Sequence, residues 1–219
     1  MEIKWHGHAC FEVKGKNVTI VFDPFAGIGL PEPKANADIV LCSHSHRDHN
    51  NVEPVKKDDG KVFESFIGSE EHKKVLVKGI STLHDSAGGS QRGKNSIYVV
   101  QIDGMKLCHL GDLGHDLADE QLKSIGEVDV VFTPIAGGAT IGPDIAWTIV
   151  NKLDPKIVIP MHYNLGFAGA PPWFSRAMPI DLEVFLEGKN VERIKQSNFE
   201  ITKEKLPKEL KIMVLTLNL

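Results

Sequence analysis

The chain has 219 residues, of which 42% are hydrophobic and 25% are charged, and its formal net charge is −4 at pH 7. These values are ordinary for a globular protein and exclude a disordered or fibrous chain. The negative charge provides no overall basic surface for non-specific nucleic-acid binding, and no run of about 18 apolar residues predicts a membrane span. No linker or internal repeat interrupts the sequence, so we expect a single domain over residues 1–219 without nucleic-acid or membrane partners.

The three cysteines, Cys10, Cys42 and Cys108, lie in apolar strand-like runs and show no C-x-x-C spacing. Their expected role is that of small buried side chains, which is typical of a reducing compartment. Met1 leads directly into the first predicted strand without an apolar leader segment. Both features favour a cytoplasmic protein.

Short strands are predicted throughout the first half of the chain, because apolar runs alternate there with Gly, Asp and Asn turns. The clearest pair is a hairpin that turns at Asp103-Gly104, a favoured two-residue turn. Residues 50–57 are predicted as a short helix or turn. The strands are expected at 3–13, 18–22, 37–42, 62–66, 74–78, 79–84, 96–102 and 106–110.

Strands alternate with helices in the second half of the chain. The clearest helix, at 142–153, begins with Gly142-Pro143, where proline at the first helical position loses no hydrogen bond. Other helices are expected at 119–125 and 180–186, and strands at 129–132, 156–159 and 210–217. Hairpins followed by strand–helix alternation predict a mixed pair of sheets with helices outside.

Four metal-binding side chains lie within six residues directly after the buried strand at 37–42. His44 and His46 leave the end of this strand on the same side, because side-chain direction alternates along a strand. Asp48 and His49 follow as the chain turns away, so they face a second point. Solvated histidines are the alternative, but they would accumulate positive charge as the pH falls through about 6.5, whereas a bound cation uses every donor. The spacing therefore predicts two adjacent cations.

The motif His44-x-His46-x-Asp48-His49 resembles the signature of the metallo-β-lactamase superfamily. The resemblance is closest to small stand-alone metal-dependent hydrolases similar to ascorbate-phosphate lactonase. It implies an α/β fold, a four-layer αββα sandwich with the site at one edge between the two sheets. None of the motifs is specific for a substrate. Three further stretches carry the resemblance: Trp5-His6-Gly7-His8-Ala9, Cys108-His109-Leu110-Gly111-Asp112 and Ile159-Pro160-Met161-His162-Tyr163-Asn164.

The resemblance also implies the ligands of a binuclear metal centre. His109 is an alternative to His84, but strand alternation directs residue 109 away from residue 112. His84 instead ends an apolar strand and enters an irregular loop, where ligands usually lie, so His84 is favoured. The implied ligands are His44, His46 and His84 for one ion, Asp48, His49 and His162 for the other, and Asp112 as the bridge.

Several neighbouring residues keep two interpretations. His6 and His8 alternate onto one face of the first predicted strand, either in hydrogen-bonded core positions or beside the metals. Asp85 is expected to orient His84 by accepting the hydrogen of its other ring nitrogen. The aromatic loop at 166–174 forms either an apolar lip over the site or a packed crossover.

Only nitrogen and oxygen ligands are present, which suits two divalent ions, with Zn²⁺ favoured and Mn²⁺ or Fe²⁺ as alternatives. Such a centre can hold a hydroxide that attacks a carbonyl carbon or phosphorus, since metal lowers the pKa of bound water to about 7. Asp48 and Asp112 are the candidate catalytic carboxylates. The predicted reaction is hydrolysis of a lactone, ester or phosphodiester bond in a small molecule.

Arg47, Arg92 and Lys94 are candidates for contact with an anionic substrate, although ordinary solvated charges are the simpler interpretation. Two other functions stay open, a di-iron redox member of the same superfamily and a non-catalytic metal-binding or regulatory protein. The sequence leaves a homo-oligomer open as well. Metal content separates these functions, because two tightly held irons favour redox chemistry and zinc or manganese favours hydrolysis.

Overall fold

Two mixed β-sheets and four α-helices make up the computed structural model, which describes residues 1–166 and 170–217. The strands are β1 (Glu2–Gly7), β2 (Cys10–Lys14), β3 (Thr19–Phe22), β4 (Ala37–Cys42), β5 (Lys56–Glu64), β6 (Gly68–His72), β7 (Val75–Leu83), β8 (Lys94–Ile102), β9 (Met105–His109), β10 (Val130–Pro134), β11 (Ile157–Met161), β12 (Val191–Ile194), β13 (Asn198–Glu200) and β14 (Lys211–Leu215). The helices are α1 (Asp119–Ile125), α2 (Pro143–Leu153), α3 (Pro172–Ala177) and α4 (Leu182–Leu186).

The described residues place six strands in the first sheet, in the order β13-β1-β2-β3-β4-β5, and eight in the second, in the order β12-β14-β11-β10-β9-β8-β7-β6. In the first sheet, β3, β4 and β5 are parallel, and hairpin pairing makes β1 parallel to β3 as well. In the second sheet, β9, β10, β11 and β14 are parallel, and β7 shares their direction. The carboxyl ends of these strands therefore lie at one edge of each sheet.

The strands at the centre of each sheet are buried along their whole length. Every residue of β4, β10 and β11 is buried, which explains their continuous rather than alternating apolar sequences. The two sheets face each other across one hydrophobic core, where the rings of Phe11 in β2 and Phe132 in β10 lie 4.4 Å apart. The Tyr98 hydroxyl in β8 links the sheets further, because it lies 3.0 Å from the Cys42 carbonyl oxygen in β4. The predicted sandwich of two sheets is confirmed.

The helices of the described residues all lie between residues 119 and 186. Both long predicted helices are present, and α2 begins at Pro143 as expected. α1 contacts β7 and α2 contacts β10, so both pack on the eight-stranded sheet. No helix in the described part of the chain is long and apolar enough to span a lipid bilayer.

Several local predictions were wrong. The strand predicted at 3–13 is the hairpin β1–β2, because Gly7 (φ 107°) and His8 (φ 52°) adopt left-handed backbone conformations that reverse the chain. Residues 50–57, by contrast, include one of the two predicted alternatives, a turn at 53–55, which leads into β5. The strands predicted at 74–78 and 79–84 are one strand, β7. Gly79 lies inside this strand. The position requires glycine, because a side chain there would collide with the carbonyl group of Phe66.

Four elements were not predicted. β6, β12 and β13 are polar, short strands near or at sheet edges, which are held by backbone pairing rather than by an apolar pattern. α3 begins at Pro172, the second of two consecutive prolines, inside the stretch predicted as an aromatic loop.

Candidate metal centre

The histidine-rich segment after β4 turns sharply at the edge of the first sheet. The His49 N–H donates to the carbonyl oxygen of His46 over 2.8 Å, which closes the turn. His44 and His49 are buried, His46 is exposed, and the side chain of Asp48 retains 25% of its accessible surface. The segment thus directs two imidazoles inward and leaves an imidazole and a carboxylate at the surface.

Three imidazoles from distant parts of the chain converge on one carboxylate oxygen. Asp112 Oδ2 lies 3.1 Å from His162 Nε2 and 3.2 Å from Nε2 of both His49 and His84. These residues follow the carboxyl ends of β9, β11, β4 and β7 respectively, and all four side chains are buried. The parallel arrangement of the strands brings their side chains to the same edge.

The possible ligand atoms form three overlapping groups, within each of which all atoms lie within 4.8 Å of one another. One group coincides with the ligands predicted for the first ion, His44, His46 and His84. The other two groups are His44 with His49 and Asp112, and His8 with His49 and His162. The structure therefore brings together all seven predicted ligands, since Asp48 Oδ2 lies 4.0 Å from His49 Nε2.

Asp23, at the end of β3, orients two of these imidazoles. Its Oδ2 accepts hydrogen bonds from His49 Nδ1 (3.0 Å) and from the Ser43 hydroxyl (2.7 Å). Ser43 Oγ in turn accepts from His44 Nδ1 over 2.8 Å. Both imidazoles are thereby held with the Nδ1 hydrogen directed away from the cluster and Nε2 facing it, the usual arrangement behind a metal ligand. The sequence analysis missed Asp23, whose only signal was an aspartate between a buried strand and a proline.

The position of Asp112 is fixed through its backbone and its neighbours. Asn95 Oδ1 accepts from the Asp112 N–H over 2.9 Å, and Asn95 Nδ2 donates to Leu110 O (2.9 Å) and to Thr82 Oγ1 (2.8 Å). Gly111 has φ 58°, and a Cβ there would lie 2.6 Å from the Cβ of Ser43. Only glycine allows this close approach between the two sheets. Asn95 and the close packing at Gly111 were also missed.

The structure distinguishes His84 from His109. His109 Nε2 donates to the carbonyl oxygen of Ala9 over 2.9 Å, and His109 Nδ1 accepts from the Gly111 N–H over 3.2 Å. With both nitrogens engaged by backbone groups, His109 packs in the core, and His84 alone of the two faces Asp112.

The expected role of Asp85 was wrong. Its two oxygens accept hydrogen bonds from the backbone N–H groups of Ala87, Gly89, Gln91 and Arg92 over 2.7–3.1 Å. His84 Nδ1 has no hydrogen-bond partner among the described residues. The Arg92 backbone hydrogen bond is the largest of several that lower the pKa of Asp85 to about 2. Asp85 therefore shapes the loop after His84 without orienting the imidazole.

His6 and His8 differ because the chain reverses between them. His6 Nε2 forms a hydrogen bond with Glu12 Oε2 over 3.0 Å, away from the cluster. His8 lies inside the cluster, with its Nε2 3.1 Å from His49 Nε2 and 3.5 Å from Asp48 Oδ2. His6 is thus a hydrogen-bonded residue outside the cluster, whereas His8 lies beside the predicted metal ligands.

The electrostatics of the cluster favour neutral imidazoles at His8 and His44, a charged imidazole at His49 and an ionised carboxylate at Asp112. Burial lowers the pKa of His44 to about 3 and that of His8 to about 4. Burial alone would raise the pKa of Asp112, but the neighbouring His162 and His49 hold it well below its usual value. For His49 the carboxylates of Asp112 and Asp23 outweigh burial and raise its pKa. His8 and His44 are therefore neutral at neutral pH, whereas a cation would have to displace a proton from His49.

These donors fit divalent metal ions. His44 Nε2 and Asp112 Oδ1 are buried and have no hydrogen-bond partner among the described residues, and both residues belong to one of the groups of possible ligands. A buried polar atom without a partner costs about 1–3 kcal/mol, and a coordinated cation removes that cost. The set contains only imidazole nitrogens and carboxylate oxygens, which suits Zn²⁺, Mn²⁺ or Fe²⁺.

The cluster opens to solvent beside His46 and Asp48. Arg47, Arg92 and Lys94 are all exposed. Of the aromatic loop, residues 167–169 lie outside the described residues, and the part within α3 places the buried Phe174 ring 5.9 Å from the His8 ring. The choice between an apolar lip and a packed crossover stays a prediction.

Comparison with known proteins places the chain among metal-dependent hydrolases. The profile of the β-lactamase superfamily domain matches residues 2–162. A UPF0173 metal-dependent hydrolase of Thermoplasma volcanium is 32% identical over 75% of this chain and 84% of its own length, and one from Thermococcus onnurineus is 30% identical over 85% and 96%. The crystal structure of a candidate Zn-dependent hydrolase of the metallo-β-lactamase superfamily from Thermotoga maritima superposes with a TM-score of 0.80 and 35% identity, covering 98% of this chain and 97% of that one.

Proposed function

The chain belongs to the metallo-β-lactamase superfamily and is a metal-dependent hydrolase, and we propose that its buried cluster holds two divalent metal ions that serve hydrolysis of a small molecule. One observation carries this proposal. Three imidazole nitrogens from three separate strands lie within 3.1–3.2 Å of a single oxygen of Asp112. Several imidazole nitrogens that converge on one carboxylate oxygen are typical of a site where these atoms bind metal ions.

The proposed ligands divide into two sets. His44, His46 and His84 hold the first ion, and Asp48, His49 and His162 hold the second, while Asp112 contacts both. Asp112 suits the bridging role because it is buried and its second oxygen has no partner among the described residues. We propose Zn²⁺ first, because imidazole ligands suit it. Mn²⁺ and Fe²⁺ are alternatives, because the set has no thiolate ligand that would favour zinc alone.

Bound divalent ions would supply activated water and polarisation of the scissile bond. The chain's own contribution is to orient the ligands and to move a proton. Asp48 is the proposed proton carrier, because it is the partly exposed carboxylate of the set and can exchange protons with solvent. Buried Asp112 has no such access and serves to hold the ions.

We propose a lactone, ester or phosphodiester as the substrate class, reached from the surface beside His46 and Asp48. The exposed Arg47, in the metal motif itself, favours an anionic substrate. Residues 1–219 form one domain in this proposal, which the single hydrophobic core supports, and the protein acts in the cytoplasm.

The test is an activity screen of apo-protein reconstituted with Zn²⁺, Mn²⁺ or Fe²⁺ against lactones, carboxylic esters and phosphodiesters. We expect metal-dependent turnover of one class, and we expect Asp112→Asn to reduce kcat/KM at least about a thousandfold, comparable to removal of a major electrostatic contributor. His6→Gln, outside the cluster, is the control and should retain turnover. Undiminished activity of Asp112→Asn would contradict the proposal, and two tightly held irons with a visible absorption band would favour redox chemistry instead.

A further inference from the structure

The backbone of His8 has an uncommon conformation that hydrogen bonds hold in place. Its backbone adopts φ 52°, which is uncommon for a residue with a side chain and has an energetic cost. Its carbonyl oxygen accepts two hydrogen bonds, from Trp5 Nε1 (3.1 Å) and from the backbone N–H of His162 (3.2 Å). His162 itself has φ 52°. Two residues in uncommon conformations, one from each sheet, are thus joined directly through their backbones.

This arrangement aims the His8 imidazole at the proposed second metal position. The side chain is 1% exposed, and its ring centroid lies 4.3 Å from that of His162 and 4.8 Å from that of His49. His8 Nε2 lies 3.1 Å from His49 Nε2 and 3.5 Å from Asp48 Oδ2. His8, His49 and His162 form one of the groups whose ligand atoms lie within 4.8 Å of one another.

The separations are those expected of atoms that share one ion. A ligand nitrogen at about 2.0–2.1 Å and a second nitrogen or oxygen at about 2.0–2.2 Å from the same cation lie about 2.8–3.5 Å apart at octahedral to tetrahedral angles. Both distances from His8 Nε2 fall in this range. A direct hydrogen bond between His8 and His49 would need a hydrogen on one of the two Nε2 atoms, because His49 Nδ1 already donates to Asp23. A shared cation lets both Nε2 atoms act as ligands.

His8 also shares its hydrogen-bonding pattern with two proposed ligands. Nδ1 of His8, His84 and His162 is buried and has no partner among the described residues, while Nε2 of each faces the cluster. We propose that His8 is a further imidazole ligand of the second metal ion, alongside Asp48, His49 and His162. This inference rests on the proposed function, since it requires that the second ion is bound.

The first experiment titrates metal-free protein with Co²⁺ and follows absorption and bound metal. We expect the wild type to bind two ions. His8→Gln should keep the first ion but bind the second at least about tenfold to a hundredfold more weakly, because even residues behind a ligand contribute that much. The Co²⁺ spectrum of the second ion should change as well. His6→Gln is the matched control and should behave as wild type.

Wild-type affinity for both ions and an unchanged Co²⁺ spectrum in His8→Gln would overturn the inference. A wild type that binds fewer than two ions would instead remove the proposed function, and the inference with it. If His8→Gln does not fold, anomalous diffraction from Co²⁺-loaded wild-type crystals decides. A peak at about 2.0–2.3 Å from His8 Nε2 supports ligation. A peak beyond about 3 Å overturns it and leaves His8 as a hydrogen-bond donor to Asp48.

Discussion

A single buried carboxylate sets the tautomers of the inner histidines. Asp23 is fully buried, and burial alone would raise its pKa, but the hydrogen bond from His49 and the charges of nearby histidines hold its pKa below the usual value. The ionised carboxylate then accepts from His49 directly and from His44 through Ser43. Both Nδ1 hydrogens are therefore directed away from the cluster, and both Nε2 atoms face it.

Asp23→Asn should weaken metal binding although Asp23 touches no metal. The amide would present an NH₂ group to one of the donors that now face the carboxylate, and its neutral oxygen would polarise the imidazoles less. We expect metal affinity to fall about 10–100-fold, measured by competition with a chromophoric chelator.

The matched control for Asp23→Asn is Asp38→Asn. Asp38 lies near the start of β4, at the end opposite to Ser43 and His44. Asp38 is also buried and accepts hydrogen bonds from Lys57 and Lys73. Its loss should cost about 1–3 kcal/mol of stability and leave metal affinity unchanged. Equal effects of the two variants on metal affinity would show that Asp23 has no specific orienting role.

The site is a product of strand direction at the scale of the secondary-structure elements. The cluster residues follow the carboxyl ends of strands that share a direction within each sheet: β1 before His8, β3 before Asp23, β4 before His44, β7 before His84, β9 before Asp112 and β11 before His162. Parallel strands end at the same edge, so residues far apart in sequence meet without long loops.

Gly111→Ala tests how closely the two sheets must approach at this edge. A left-handed backbone costs alanine about 1 kcal/mol or more, and the collision with Ser43 and Asn95 should add about 1–3 kcal/mol of overpacking. We also expect weaker metal binding, because the substitution displaces Asp112. Urea unfolding of the metal-free protein and Co²⁺ titration measure the two effects.

Gly104→Ala is the control for Gly111→Ala. Gly104 has φ 79° in the β8–β9 turn, and a Cβ there would meet nothing within 4 Å. This variant should show the backbone cost alone and normal metal binding. If both variants lose the same stability, close packing at Gly111 is not what requires glycine.

At the scale of the whole molecule, the two sheets meet in one core, and the proposed metal centre joins their edges. The proposed ligands His44 and His49 follow a strand of the first sheet, and His84, Asp112 and His162 follow strands of the second. The bound ions would therefore connect the two halves of the sandwich, and metal binding should be linked to global folding.

Removal of metal should lower the melting temperature of the whole protein. An ion present at about a thousand times its Kd stabilises the native state by about 4 kcal/mol, which corresponds to about 8–16 °C for a chain of this size. Differential scanning calorimetry with and without EDTA measures the shift. The Tm of Asp112→Asn should respond little to EDTA, and a wild-type Tm that is insensitive to the chelator would contradict the linkage.

The sequence by itself determined the features that depend on residues close together in the chain. The apolar run of β4, the Asp103-Gly104 hairpin, and the start of α2 at Pro143 follow from periodicity and turn chemistry. The family resemblance supplied the fold class and the seven proposed ligand positions, four of which form a chemical pattern by their spacing within residues 44–49.

Only the tertiary structure decided which other residues accompany them. Asp23, Asn95 and His8 act through partners about 17 to 150 residues away, and no local pattern marks such pairs. The hairpin at Gly7 and His8 was likewise missed, because its reversal is held by contacts with Trp5 and His162 rather than by a recognisable turn sequence. Secondary-structure propensity depends on residues that are neighbours in the sequence, whereas these hydrogen bonds join residues that only the packing of the two sheets brings together.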